Sequence, residues 1–229
     1  MLKRLLLTFL LLALIQSNSA DQAFEDDKDI VTKDFITNLI LQGNDLLAQQ
    51  KYDSAIILYM GADSLATLSD DFESKTNCKH NIGLCYYRDG KYTLSREYFG
   101  EAINLSLSAN DELKTAKYQI SLGVLYKQLS IYDKSMQLIM KSIVIAEKHK
   151  DLQLMAMAYN SIAGIQNTLG NYQGALEYYF LVADIFTELD YKTGLAKVYN
   201  NIGNVYTDSG NYELSKKYYF KSLKTKQRI

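Results

Sequence analysis

The stretch Asn81-Ile82-Gly83-Leu84-Cys85-Tyr86-Tyr87-Arg88-Asp89-Gly90-Lys91-Tyr92 returns, three periods of 40 residues later, as Asn201-Ile202-Gly203-Asn204-Val205-Tyr206-Thr207-Asp208-Ser209-Gly210-Asn211-Tyr212. At the same offset Tyr52, Tyr92, Tyr132, Tyr172 and Tyr212 form one column, and Gly43, Gly83, Gly123, Ala163 and Gly203 form another. Ala55, Ser95, Ser135, Ala175 and Ser215 are all small, while Tyr59, Phe99, Ile139, Tyr179 and Tyr219 are all large. Five copies in register exclude chance composition. A period of this size marks a stack in which each unit buries its apolar face against its neighbours.

Each unit reads as two helices. In the second copy, Ile82, Leu84 to Tyr87, Phe99, Ala102 and Ile103 place apolar residues at helical spacing on either side of a break at Asp89 to Tyr92. The break recurs as Gln50-Lys51-Tyr52, Gly90-Lys91-Tyr92, Ser130-Ile131-Tyr132, Gly170-Asn171-Tyr172 and Gly210-Asn211-Tyr212, where Gly can close the first helix in a left-handed conformation. Asp53, Thr93 and Asp133 are expected to cap the second helix of the first three copies. A second break falls at Ser69 to Asp71, Asn110-Asp111, Lys150-Asp151 and Asp190, where Asp or Asn is expected to cap the next opening helix. The pattern predicts an all-α solenoid of five tandem helix-turn-helix repeats, 31–70, 71–110, 111–150, 151–190 and 191–229, with ten helices of about 17 residues.

Composition agrees. Hydrophobic residues at 48% and charged residues at 22% describe an ordinary folded chain, neither disordered nor polytopic. No Pro, no Trp, 19 Tyr and only 12 Gly favour helices with half-buried rings over sheets and tight turns. The formal charge is −1. Removing residues 1–20 deletes Lys3 and Arg4 and leaves 23 basic against 26 acidic side chains, which excludes the electrostatic footprint of a nucleic-acid binder.

Residues 1–20 have the layout of a secretory signal peptide: Lys3 and Arg4, an apolar run from Leu5 to Ile15 broken only by Thr8, then small or polar residues. Eleven helical residues rise about 16 Å, roughly half a bilayer core, so cleavage near Ser19 or Ala20 is expected in preference to anchoring. The protein is then exported, periplasmic or secreted, and residues 21–30 form an acidic linker. N-terminal lipidation would need a Cys at the cleavage point, and the first is Cys78.

The pattern Asn81-Ile82-Gly83-x-x-Tyr86, Gly90-x-Tyr92, Ser95, Phe99 and Ala102, with its counterpart from Asn201 to Ser222, resembles the tetratricopeptide repeat. The resemblance covers about residues 31 to 229. The usual repeat has 34 residues and a Pro closing its second helix; 40 residues and no Pro resemble the longer-helix variant of kinesin light chain and bacterial peptide-sensing regulators. Copies one and four depart most, with Gln42 and Leu46 in one, Ala163 and Gln166 in the other. A diverged first copy suits a cap that meets water.

The resemblance implies a right-handed superhelical solenoid whose first helices line a concave groove for a protein or peptide ligand. It maps groove positions onto Asn81, Ser121, Ser161 and Asn201, onto the adjacent column His80, Ile120, Asn160 and Asn200, and one turn later onto Arg88, Lys127 and Asn204. Carboxamides offer both a donor and an acceptor to an extended peptide backbone. Lys117, Lys127, Lys197 and Arg88 would add a preference for acidic side chains or a terminal carboxylate.

Catalysis finds no support. Cys78 and Cys85 lie about 10 Å apart along one helix, too far for a disulfide, and are expected as buried free thiols. Cys78, His80 and Cys85 fall on different helix faces and are not a metal site. His149 suits a helix C-terminus. No phosphate loop, nucleophile elbow or zinc-protease motif occurs, and no cofactor is called for.

The leading expectation is a non-enzymatic protein- or peptide-binding scaffold that does not bind nucleic acid through this segment. At its end, an apolar stripe around Leu214, Tyr218 and Phe220 is left partly uncovered, so either a partner covers it or the natural chain continues. The alternative reading follows: the extracytoplasmic sensor portion of a larger signalling or transcription-regulatory receptor of the Bacteroidetes type, touching the membrane only through a segment beyond Ile229.

Overall fold

The computed structural model describes the backbone of residues 22–227 and the side chains of residues 33–227. Among these residues there are ten α-helices and no strand: α1 Gln22–Ala48, α2 Tyr52–Leu68, α3 Phe72–Arg88, α4 Tyr92–Ser108, α5 Glu112–Gln128, α6 Tyr132–His149, α7 Leu152–Thr168, α8 Tyr172–Glu188, α9 Lys192–Asp208 and α10 Tyr212–Lys226. The expected signal peptide lies outside the described residues. The stretch expected as a linker is instead helical from Gln22, in keeping with a sequence that has no Gly or Pro between Asp21 and Gln42. No described helix is long and apolar enough to cross a membrane.

Every turn has one construction. A residue with φ between 46° and 80° recurs each 20 positions, at Gln50, Asp70, Gly90, Asn110, Ser130, Lys150, Gly170, Asp190 and Gly210. In the first turn the amide of Gln50 donates to the carbonyl of Leu47 and that of Lys51 to the carbonyl of Leu46. The same pair closes α6, from Lys150 to Glu147 and from Asp151 to Ala146. This is the Schellman closure, which satisfies the last carbonyls of each helix.

The closure also decides where the next helix starts. Each second helix begins at the recurring tyrosine itself, so Asp53, Thr93 and Asp133 sit inside the first turn and are not the capping residues. The capping position is one residue before the tyrosine. Lys51, Lys91 and Ile131 offer no side-chain cap there, whereas Asn171 and Asn211 accept from the amides of Gly174 and Leu214. Asp71, Asp111 and Asp151 cap their helices as expected, accepting from Ser74, Lys114 and Leu154. Asp190 does not, because it is the left-handed residue of its turn.

Six of the nine turn residues carry a Cβ in a conformation that costs an L-residue about 1 kcal/mol. Lys150 is exposed, so little burial is lost when Gly replaces it. Lys150→Gly is therefore expected to stabilise the chain by about 1 kcal/mol and raise its melting temperature by roughly 2–4 °C, read by thermal circular dichroism.

The chain gathers into two units that divide within α3, one up to Cys85 and one from Tyr86. In the first, Ile36, Ala62, Ala66 and Cys78 form a core joining α1, α2 and α3. Gly43 lies against Tyr59 so closely that a Cβ there would stand 2.6 Å from the ring.

In the second unit, hairpins α5–α6, α7–α8 and α9–α10 follow one another, with each second helix packed on the next first helix. Ala116, Ile120, Ile139, Leu154, Ile162 and Ile165 fill one layer; Ala163, Tyr179, Val182, Val198, Ile202 and Val205 fill the next. The small columns do more than leave room. Ser135 Oγ donates to the Gly123 carbonyl at 2.6 Å and Ser142 Oγ to Ala116 at 3.0 Å, strapping α5 to α6, and Ser222 Oγ donates to Ala196 at 2.7 Å, strapping α9 to α10.

Cys78 and Cys85 are both buried and free, and burial pushes their thiols up to about 12 and about 11. Native protein at pH 8 is expected to resist iodoacetamide, and denatured protein to take up two groups, counted by intact mass. Because the folded thiols hold their protons above the unfolded value near 8.5, stability is complete below that pH and falls as pH rises towards 11–12.

Candidate functional site

The first helices α5, α7 and α9 of the second unit carry most of the predicted groove residues. Four of them, Asn160, Lys197, Asn200 and Asn201, line one cleft of about 510 Å³. Its walls are the facing sides of α7 and α9, and its ends are Phe186 at the close of α8, Tyr191 in the following turn, and Lys226 of α10.

Local sequence explains this shape. Gly194 has no side chain where a Cβ would stand 2.4 Å from the Tyr191 ring and 2.9 Å from that of Phe186. The two rings therefore fold over the start of α9, edge to face at 5.2 Å and 83°, as an apolar wall. Across from them Asn201 Nδ2 donates to Asn160 Oδ1 at 3.2 Å. Each amide keeps hydrogen-bonding capacity that this bond does not use. The charged lining residues are Lys197 and Lys226, with no carboxylate beside them. The cleft is thus cationic, rich in carboxamides and apolar along one side.

The other predicted residues stand elsewhere. Ser121 Oγ donates to the Lys117 carbonyl at 3.3 Å and Ser161 Oγ to Met157 at 2.8 Å, so both hydroxyl protons are spent on their own helices. Lys117 is exposed. Asn204 Oδ1 accepts from the Tyr219 hydroxyl at 2.7 Å, which ties it to its hairpin partner. Lys127 is half-buried, with its Nζ at the space left open by Gly164, and burial holds its ammonium below the ordinary lysine range. Arg88 is exposed in the last turn of α3, where a cation suits the helix dipole. Asn81 belongs to the first unit, its Nδ2 3.5 Å from Asn44 Oδ1, which also accepts from Tyr59 at 2.7 Å. In the adjacent column His80 and Ile120 are buried, whereas Asn160 and Asn200 reach the surface.

Sequence reasoning passed over Met157, Phe186, Tyr191 and Lys226. The available signal was in the column Ala66, Ser106, Ala146, Phe186 and Lys226, where the last two copies replace small side chains with an aromatic and a cation. A second cleft of about 540 Å³ lies among Leu107, Gln119, Val144 and their neighbours on α4, α5 and α6, and was also unforeseen. Among the described residues no three His, Cys, Asp or Glu side chains come together to hold a metal.

Equal helical hairpins in tandem, with a polar cleft between successive first helices, define a helical-repeat protein. Family models described as tetratricopeptide repeat match residues 77–108 and 154–228, and the chain belongs to the tetratricopeptide repeat family. No curated relative matches the sequence. Among solved structures, BtubC (BKLC) from P. vanneervenii is similar at 17% identity and a TM-score of 0.73, over 90% of this chain and 84% of that one. A Rap protein complexed with Competence and Sporulation Factor is similar at 17% identity and a TM-score of 0.74, over 82% of this chain and 52% of that one. Aspartyl phosphate phosphatase F from Bacillus subtilis is similar at 19% identity and a TM-score of 0.73, over 89% and 54%. At these identities the likeness shows the fold alone. The chain spans about half the length of the two latter proteins.

Proposed function

We propose that this protein is a non-enzymatic scaffold that holds a protein or peptide segment in the cleft between α7 and α9. The observation that carries the reading is the convergence of Asn160, Asn200, Asn201 and Lys197 on one open cleft beside an aromatic wall. An extended segment has unpaired backbone N–H and C=O groups, and carboxamides answer both, while Lys197 and Lys226 select carboxylates. The Rap likeness supports the reading at the level of fold, since that protein is complexed with a factor.

A displayed random-peptide library tests it. The native chain is expected to enrich a consensus that a variant with Asn160, Asn200 and Asn201 changed to Ala no longer retains, with helical circular dichroism unchanged. Equal enrichment by both proteins would remove the cleft from consideration.

The same proposal places the protein outside the cytoplasm after cleavage near Ser19 or Ala20. N-terminal sequencing of material from the host envelope is expected to start within a residue or two of Asp21, and an intact Met1 would refute export by this route. That the chain spans 52–54% of the Rap-type chains it resembles favours a second reading, in which it is the sensing portion of a larger regulator. An apolar stretch of about 20 residues encoded after codon 229 is the expected sign.

A further inference from the structure

One position in the stack breaks a pattern that its neighbours keep. In the column Lys79, Gln119, Tyr159 and Tyr199, repeats four and five carry a ring that packs beside the second helices. Tyr159 of α7 reaches across to α6, where its hydroxyl donates to Glu147 Oε1 at 2.9 Å, and its ring lies 5.7 Å from that of Tyr178 on α8. Tyr199 of α9 lies 6.1 Å from the Tyr218 ring on α10, with Lys221 Nζ 5.4 Å from its own centroid. Repeat two places Lys79 there, bound to Asp63 at 3.1 Å. Repeat three has Gln119, whose side chain does neither.

At that point the second cleft opens, about 540 Å³ between α4 and α6 with α5 as its floor. Its lining answers to the surroundings of the rings in the later repeats: Leu107 stands where Glu147 receives Tyr159, and Lys141 stands where Lys221 covers Tyr199. Leu107 and Val144 are 55% and 66% exposed, with Ile145 half-buried beside them. Gln119 Oε1 is buried without a hydrogen-bond partner, a state that costs an acceptor about 1–3 kcal/mol. Lys141 is exposed and has neither an ion pair nor a ring beneath it among the described residues. Glu112, at one end of the cleft, is already held by Lys148 at 2.6 Å and His149 at 2.7 Å. The cleft thus supplies an apolar slot, an uncompensated cation at its edge and an unused acceptor at its base.

We infer that this cleft binds a tyrosine side chain presented by a segment of a partner protein, its ring set among Leu107, Val144 and Ile145 beneath Lys141 and its hydroxyl donating to Gln119 Oε1. The ring takes the surroundings that Tyr159 and Tyr199 have in their own repeats, but enters from solvent, so its hydroxyl points inward to the amide. A lysine over its face is attracted by the ring electrons, as Lys221 is over Tyr199. A single phenol fills only a small part of 540 Å³, and the remaining length of the open cleft accommodates the backbone on either side of it. The cleft shares no residue with the one between α7 and α9 and does not rest on the reading of that site.

The test selects a displayed library of short peptides, with Tyr fixed at the centre, on the full chain carrying Asn160, Asn200 and Asn201 changed to Ala, so that the other cleft does not compete. Gln119→Tyr in the same chain is the counter-selection. It supplies the ring from within, as repeats four and five do, and is expected to keep its helical circular dichroism. A tyrosine peptide is expected to be enriched on the first protein and lost on the second. By fluorescence anisotropy, the synthetic peptide is expected to bind the native chain roughly 3- to 10-fold less tightly when its Tyr becomes Phe, the effect of one hydrogen bond. Lys141→Ala is expected to weaken it about two- to fivefold. Should Gln119→Tyr lose its fold, Val144→Asp at an exposed position takes its place and is expected to weaken binding by roughly tenfold or more. No enrichment, undiminished binding to the folded Gln119→Tyr or Val144→Asp chain, or equal affinity for the Phe peptide would each overturn the inference. So would N-acetyltyrosinamide binding as tightly as the peptide, which would make the occupant a free aromatic compound.

Discussion

Gly123→Leu is expected to destabilise the chain by about 3 kcal/mol and to lower its melting temperature by roughly 6–12 °C. A Cβ at this position would stand 2.8 Å from Ile139 Cγ1 and 3.3 Å from the carbonyl oxygen of Ser135. Ile139 is fully buried between α5 and the following layer and has nowhere to move, and the second neighbour is backbone. Leu would therefore push α5 from α6. The movement also stretches the 2.6 Å bond from Ser135 Oγ to the Gly123 carbonyl, worth about 1 kcal/mol, and leaves a buried acceptor without its donor. Gly203→Ala is the matched control. Its obstacle is the Tyr219 ring, which is partly exposed and can yield at the expense of its hydroxyl bonds to Asn204 and Thr207, so a smaller loss of about 1 kcal/mol is expected. Copy four already places Ala163 in the same column within the cluster that holds Tyr179. Thermal and urea unfolding of both variants decide the matter, and a Gly123→Leu midpoint within 2 °C of the native chain would contradict the packing argument.

That control shows why the helical pairs were legible in sequence and their details were not. The glycine and large-residue columns are two sides of one contact, Gly43 with Tyr59, Gly123 with Ile139 and Gly203 with Tyr219, so their constant spacing carried the hairpin directly. The turns were read at half strength. Only Gly90, Gly170 and Gly210 announce a left-handed residue, whereas Gln50, Asn110, Ser130, Lys150 and Asp190 adopt it under two closing backbone hydrogen bonds, and Asp70 with the bond from Asp71 to Ala66. Missing that closure moved the expected caps two residues downstream, from Lys51, Lys91 and Ile131 onto Asp53, Thr93 and Asp133. The site divides in a similar way. Asn160, Asn200 and Asn201 repeat with the helix period and were visible as a face. Phe186, Tyr191 and Lys226 lie on different elements and come together only through stacking of hairpins, which no single-helix pattern encodes. Ser121 and Ser161 differ from the asparagines for a local reason: each hydroxyl donates to the carbonyl four residues back in its own helix.

The second large effect is on binding. Lys197→Glu combined with Lys226→Glu is expected to weaken the peptides selected by the native cleft by roughly 30- to 100-fold, while leaving the melting temperature within 2 °C. Neither lysine has an ion-pair partner among the described residues at the cleft, and both are exposed, so their removal costs the fold little. With bound carboxylates the balance differs. Each reversal replaces an attraction by a repulsion at the edge of a partly desolvated cleft, about 1 to 1.5 kcal/mol per site, and two sites together span that range in affinity. The loss is expected to shrink as salt rises from 50 mM to 500 mM, because rim charges are screened over about 10 Å or less at such concentrations. Selection repeated on the reversed protein is expected to enrich lysine-bearing peptides that retain the same apolar anchor, since Phe186, Tyr191 and Met157 are untouched. An unchanged consensus after reversal would mean that the cationic rim does not meet the ligand, and would confine recognition to the asparagines and the aromatic wall.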